Sequence, residues 1–316
     1  MSMRIGAKLA TAWGLLAHGQ FSLFDRQVRL LWRQRRLRRA GTRAFAHTIA
    51  GRRYICFPDL PDSVEQYLNG GDDAWELKLA RRWLQPGDAF IDGGANLGLY
   101  THAVAGGFGG RVEVLALEAS PHLAARLELA ADLLRERNVQ AVPVAVGAET
   151  GEVAFHLAKP GRPTTSQSMH IDAATAGDYE VRRVPVRSLA DLAATRLPGR
   201  NVALVKLDIE GAEPLALRGA PPAWRDVDGP LWLVEINLTV LSRNGYGAAD
   251  VLAHFPAGRF ECWLLPKYPL ADGPPARPRP YRVSEGFADA RFYNLIAVPL
   301  GARAAPRRAR IRTLLA

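Results

Sequence analysis

Phe90-Ile91-Asp92 is a short apolar run that breaks into Gly93-Gly94-Ala95-Asn96-Leu97-Gly98, and helical periodicity begins near Leu99. A strand, a glycine turn and a helix in immediate succession open a βαβ unit, because glycine tolerates the left-handed backbone that so tight a reversal needs. The alternation continues downstream. Residues 112–118 read as the next strand, after which Ser120 and Pro121 supply an N-cap and a first-turn proline for a helix with Leu123, Leu127, Ala130 and Leu134 on one stripe. Further strands are expected over residues 141–145, 203–208, 231–236, 260–265 and 292–298, with an extended segment starting at Val184 and a short helix capped by Ser188. Glu149-Thr150-Gly151 turns the chain into Val153-Ala154-Phe155, expected to pair as a hairpin, and residues 159–176 and 273–280 read as loops. This pattern predicts an α/β fold with a doubly wound, mostly parallel, Rossmann-like sheet covered on both faces. Ligands of such folds bind beyond the C-terminal ends of the strands.

The flanks have a different character. Arg26, Arg29, Arg33 and Arg36 recur at steps of three or four while Phe24, Val28 and Leu31 recur on another face, predicting a basic amphipathic helix. Such a helix either packs its apolar side on the main domain or binds a membrane surface or an acidic ligand. A second helix is expected from Asp73 to Leu84, with Asp72 as N-cap and Pro86-Gly87 as its stop. The chain therefore divides into a basic helical N-terminal extension (1–50), a lead-in segment (51–85), the α/β domain (86–300) and a basic, frayed tail (301–316). The apolar stretches are strand-length, too short for the ~20 residues that cross a bilayer. Two cysteines, Cys56 and Cys262, make neither a disulfide framework nor a zinc cluster, so a reducing cytoplasm is expected, with peripheral membrane contact through the basic helix. The formal charge of +10 comes mostly from arginine in a chain rich in Ala, Arg, Gly and Pro, and by itself does not select nucleic acid as a partner.

The glycine turn narrows the cofactor. A dinucleotide fingerprint wants glycine at its first, third and sixth positions, and counting from Gly93 the third is Ala95. A phosphate-binding P-loop wants Lys-Ser/Thr after its last glycine, where this chain has Leu99-Tyr100. S-adenosyl-L-methionine carries no phosphate but has an ammonium, a carboxylate and a ribose, so it needs an acid beside a glycine turn. Asp92 with Gly93, Gly94 and Gly98 supplies that. A second acid, Glu118, ends the next strand, where its two oxygens suit the two ribose hydroxyls. Asn96 either bonds the ligand or caps the following helix.

Lys206-Leu207-Asp208-Ile209-Glu210-Gly211-Ala212-Glu213 places several charges at the end of a core strand, costly in the sheet interior and tolerable at an active-site rim or as a structural ion-pair cluster. Asp208, Glu210 and Glu213 are candidates for acceptor orientation or general base, Asp208 first, with Lys206 holding them ionised. Glu235 at the end of the next strand, and His156 or His170, are further candidates; a divalent metal among the acids is chemically feasible, but no metal is assigned.

Taken in order, residues 90–98, Glu118-Ala119-Ser120-Pro121 and Lys206 to Glu213 resemble the FkbM family of methyltransferases over about Pro86 to Ile236. Proline more often follows the ribose-binding acid directly in that family, whereas Ala119-Ser120 intervene here. The resemblance implies S-adenosyl-L-methionine-dependent O-methylation of a hydroxyl on a glycan, glycolipid or small-molecule secondary metabolite. Two other functions stay open: an RNA methyltransferase, suggested by the arginines but lacking an aromatic-basic stacking platform, and a non-catalytic glycan- or membrane-associated protein.

Overall fold

A computed structural model of the protein describes residues 28–29, 32, 35–37, 39–49, 52–60, 63, 74–159, 167, 169, 173–269, 278–281, 287 and 290–315. Its elements in chain order are β1 (Phe45–Ile49), β2 (Arg52–Cys56), α1 (Ala74–Trp83), β3 (Asp88–Gly93), α2 (Leu99–Gly107), β4 (Glu113–Glu118), α3 (Pro121–Leu134), β5 (Val139–Pro143), β6 (Ala145–Gly147) and β7 (Gly151–Ala158). They continue with β8 (Tyr179–Ser188), α4 (Leu189–Arg196), β9 (Asn201–Leu207), α5 (Glu213–Arg218), β10 (Leu231–Asn237), α6 (Leu238–Arg243), α7 (Ala248–Leu252), β11 (Phe260–Pro269), β12 (Arg279–Pro280), β13 (Ala290–Pro299) and α8 (Ala305–Leu315).

Eight strands form the main sheet in the order β12-β11-β13-β10-β9-β3-β4-β5. From β5 to β10 neighbouring strands are parallel; β13 then inserts antiparallel between β10 and β11. The order reverses at β3, where the chain winds first toward β5 and then back toward β10, and this switch point is where the glycine turn lies. Every residue of β3 is buried, as expected of a central parallel strand covered on both faces. Period-two alternation sends Ala89, Ile91, Val205, Leu207, Trp232 and Val234 into one core layer and Phe90, Leu204, Leu231 and Leu233 into the other. Asp92, Lys206 and Glu235 follow the second parity, so they stand on one face near the strands' C-terminal ends.

Local signals act as the sequence predicts at two helices. Ser120 accepts a hydrogen bond from Leu123 N and Pro121 occupies the first turn of α3; Ser188 accepts from Asp191 N at the start of α4. Other expectations need correction. The 151–158 strand does not close a hairpin with the strand before it: β7 pairs antiparallel with β8, which also takes β6 in parallel, giving a separate three-stranded sheet. The end of the first expected loop runs into a 3₁₀ turn over residues 173–178, and Arg279 and Pro280 form a short edge strand against Leu264 and Trp263. The hairpin β1–β2 pairs Ile49 with Arg52 and buries Tyr54 and Cys56 in the core, so it spans the boundary expected after residue 50. Asp72 and most of the predicted N-terminal basic helix lie outside the described residues; Val28, Arg29, Trp32, Arg35, Arg36, Leu37 and Arg39 are helical there, with Trp32 64% exposed.

The clearest correction concerns residues 301–316, expected as a frayed tail. Residues 305–315 form α8, which docks against α1 and buries Ile311 and Leu315 in the same cluster as Trp83 and Leu84. Arg307 supplies the polar anchor. Its guanidinium grips both oxygens of buried Asp88 at the start of β3, with Nη2 2.9 Å from Oδ1, and also donates to Trp83 O at 3.0 Å. Asp88 in addition accepts from Asn201 Nδ2 and Gln85 N, so one carboxylate ties α8, β9 and the α1–β3 turn together. No helix among the described residues is long and apolar enough to cross a membrane.

Candidate active site

The glycine turn is shaped by contact with the next strand. Gly94 has φ +72°, and a Cβ there would sit 1.8 Å from Asp208 O, so no side chain fits without moving the backbone that follows β9. Gly98, φ +83°, is itself the N-cap of α2 and makes no side-chain cap. Asn96 is therefore not the cap. It too is left-handed (φ +49°), its N–H donates to Glu118 Oε2 at 2.9 Å, and its buried Oδ1 has no hydrogen-bond partner.

Glu118 stands at the end of β4 beside this turn. Each of its oxygens accepts one backbone N–H, Oε2 from Asn96 and Oε1 from Ser120 at 2.9 Å, which fixes the carboxylate's orientation and leaves a lone pair on each oxygen. Burial raises its pKa, opposed by those two N–H groups and by Lys206. The geometry fits a ligand diol; Gly94 and Asn96 leave the adjoining backbone close to the same space.

Asp92 and Lys206 are cross-strand neighbours on β3 and β9. Asp92 is fully buried; Oδ2 accepts from Thr101 Oγ1 at 2.7 Å, while Oδ1 lies 3.3 Å from Lys206 Nζ at an ion-pair distance without hydrogen-bond geometry. Lys206 Nζ donates to Gly94 O at 3.0 Å, approaches Gly93 O at 3.5 Å and Asp208 Oδ2 at 3.4 Å, and lies 5.1 Å from the centre of the Tyr100 ring. Lys206 thus ties the turn's carbonyls to two acids rather than standing as a free cation.

The four acids expected at the rim differ in their surroundings. Asp208 follows β9, its N–H donates to Gly93 O at 3.1 Å, and its side chain is 42% exposed. Glu210 is half-buried with φ +54°, an uncommon backbone state for a residue with a Cβ and typical of functional turns. Glu213 is buried at the first turn of α5, with Oε1 accepting from Ile209 N at 2.9 Å and Gly211 N at 3.3 Å. Its carboxylate is used to hold the 209–211 turn. Glu235, on β10, faces the same group.

Desolvation pushes Glu210 up to about 8 and Glu213 up to about 7, with Asp208 adding like-charge repulsion to both, and raises Glu235 well above the usual carboxylate range. Among the described residues no three His, Cys, Asp or Glu side chains are grouped so as to hold a metal ion. His156 lies on β7, on the side of that strand opposite Phe155 and Leu157, which pack with Ala119; His170 lies outside the described residues.

A raised acid pKa in the fold carries a stability consequence. A proton bound more tightly to folded than to unfolded Glu210 makes the fold lose stability as pH rises from about 4.5, with the loss complete above about 8. Glu210→Gln removes that contribution, so the variant gains thermal stability relative to the parent as pH goes from 5 to 9. Residual slope from Glu235 remains in both. Parallel melting-temperature curves for the two proteins across this range would remove the burial argument for Glu210.

Thr101 is the site residue that sequence reasoning missed. The available signal was a hydroxyl in the first turn of the helix following the acid and its glycines, near enough to return to Asp92.

The strand order, the switch-point turn and the acids at the ends of β4 and β9 define a doubly wound, Rossmann-like methyltransferase domain. A methyltransferase FkbM domain model matches residues 92–262, more than half of the chain, and the chain belongs to the FkbM methyltransferase family. A search of curated proteins returned no match. Among solved structures, the chain is similar to an FkbM methyltransferase from Methylobacillus flagellatus KT (16% identity, TM-score 0.38), covering 73% of this chain and 52% of that one. The chain thus spans about half the length of that relative. It is also similar to a T. thermophilus 16S rRNA N2 G1207 methyltransferase solved with AdoMet and guanosine (13%, TM-score 0.38, covering 81% and 50%). A third is a SAM-dependent O-methyltransferase from Thermotoga maritima (13%, TM-score 0.36, covering 80% and 77%).

Proposed function

We propose that this protein is an S-adenosyl-L-methionine-dependent O-methyltransferase whose acceptor is a hydroxyl of an uncharged, polyhydroxylated molecule: a glycan, a glycolipid headgroup or a secondary metabolite. The observation that carries the reading is the adjacency, at one switch point, of an oriented Glu118 and the glycine turn of β3, with the partly exposed Asp208 on the neighbouring strand end. In this reading Glu118 holds the ribose diol, and the backbone of residues 93–98 lies along the cofactor. The cofactor supplies the methyl group; the chain's task is to align the acceptor oxygen and take its proton. Asp208, with its side chain 42% exposed, is assigned to that proton. Glu213 positions the 209–211 turn on which Glu210 sits.

The rim also bears on the acceptor's charge. Asp208 and Glu213 raise the pKa of Glu210, and Asp208, Glu210 and Glu213 raise that of Glu235, so negative charge gathers at this rim, whereas a phosphate-rich acceptor is held by Lys and Arg. This favours an uncharged acceptor over RNA, despite the net charge of +10.

Calorimetry with S-adenosylhomocysteine, followed by transfer of a radiolabelled methyl group to glycan, lipid and RNA panels, tests the reading. Label appearing in RNA alone would replace it. Within the same experiment Glu118→Ala weakens cofactor binding by about 1.5–3 kcal/mol, the range for hydrogen bonds to a charged group. Glu118→Gln, which keeps one acceptor oxygen, falls between. Unchanged affinity in Glu118→Ala removes Glu118 from the site.

A further inference from the structure

We infer that Thr101 is a positioning residue for the cofactor turn, and that Asp92 works in the same chain of contacts instead of touching the cofactor. The inference rests on the cofactor reading above and goes beyond it by giving the acid of the turn a different task. Beside a glycine turn, an acid is expected to meet the cofactor's ammonium. The geometry points elsewhere.

Asp92 is fully buried, and neither oxygen is presented to solvent: Oδ2 is taken by the Thr101 hydroxyl at 2.7 Å and Oδ1 is enclosed beside Lys206 at 3.3 Å. Thr101 is itself fully buried, in the first turn of α2, so its hydroxyl hydrogen is directed by the carboxylate it serves. Lys206 passes the constraint on, because the ammonium opposite Asp92 donates to Gly94 O, the carbonyl at the tightest point of the turn. The contacts run Thr101, Asp92, Lys206, Gly94, linking α2, β3, β9 and the turn. A buried carboxylate that lost its neutral donor would draw Lys206 toward itself and away from Gly94 O, since an unsatisfied buried charge is costlier than a lengthened bond to a carbonyl. The turn would then lose the support that holds its backbone against the adenosine side of the cofactor.

This predicts which part of the cofactor is affected. A direct ion pair from Asp92 to the ammonium matters only for ligands that carry the amino-acid portion; a turn held in shape matters for the nucleoside as well. Calorimetry on the full chain with S-adenosylhomocysteine and with 5′-methylthioadenosine, which lacks the amino-acid portion, separates the two. Thr101→Val is expected to weaken both ligands roughly tenfold, Thr101→Ser to restore both, and Thr101→Val to add little in an Asp92→Asn background. Loss of S-adenosylhomocysteine affinity alone in Asp92→Asn, with 5′-methylthioadenosine unchanged, would establish direct contact and overturn the inference. So would parental affinity for both ligands in Thr101→Val, which holds even if Asp92→Asn fails to fold. If the parent binds neither ligand, the cofactor reading falls and takes the inference with it; if the parent binds and Thr101→Val binds equally, only the inference falls.

Discussion

Asp208→Asn lowers single-turnover methyl transfer by about 10²–10⁴-fold, the usual worth of a positioned general base, while cofactor affinity and melting temperature stay near those of the parent. The substitution keeps shape and removes charge and basicity, so it separates chemistry from architecture. The structure makes the second half of this expectation specific. Lys206 Nζ stands 3.4 Å from Asp208 Oδ2, but it also has Gly94 O and Asp92, and the Asp208 side chain is 42% exposed. An ion pair that open contributes at most about 1 kcal/mol. Two of the other acids are poor substitutes at neutral pH: Glu210, raised to about 8, is mostly protonated, and Glu213 is engaged by two backbone N–H groups. If turnover persists undiminished in a folded Asp208→Asn protein, the base is another group and the assignment of Asp208 falls. A joint fall in melting temperature and cofactor affinity would instead mark Asp208 as part of the turn's support.

Arg307→Ala is expected to cost about 3–5 kcal/mol, the range for removing one partner of a buried ion pair. Its side chain is 15% exposed and that of Asp88 5%, so solvent does little to replace what is lost. Asn201 and the Gln85 N–H remain on Asp88, which sets the expectation toward the lower end. For a domain of this size the corresponding fall in melting temperature is on the order of 10 °C, read by calorimetry or circular dichroism. Arg307→Lys should recover only part of it, because an ammonium cannot span both carboxylate oxygens. A melting temperature unmoved by Arg307→Ala would return residues 305–315 to the frayed state the sequence suggested.

The contrast between those regions explains what a sequence of this kind discloses. Phe90-Ile91-Asp92 and its glycines were readable because hydrophobic period and turn chemistry are local, and Ser120 and Ser188 because an N-cap acts within three residues. The antiparallel insertion of β13 between β10 and β11 was not readable, since an apolar strand does not declare its neighbours. Residues 305–315 escaped for another reason: with Ile311 and Leu315 its only buried apolar side chains, α8 is held as much by an arginine, which periodicity reads as surface. At the site, Glu118 and Asp208 were visible as acids closing strands. That Glu213 turns back onto its own loop, or that Asp92 faces Thr101, depends on where side chains point after folding.

The clasp between Arg307 and Asp88 joins positions 219 residues apart. No local event brings them together: the loop they close contains nearly the whole sheet, and the entropy of closing it is recovered only once β3, β9 and α1 have already aligned. During synthesis Asp88 is made long before its guanidinium partner, so the floor of the central strand waits, with a carboxylate still wet, until α8 arrives. A chain stopped short of residue 307 would therefore contain the residues of β1 to β13 but lack the contact that clasps the start of β3.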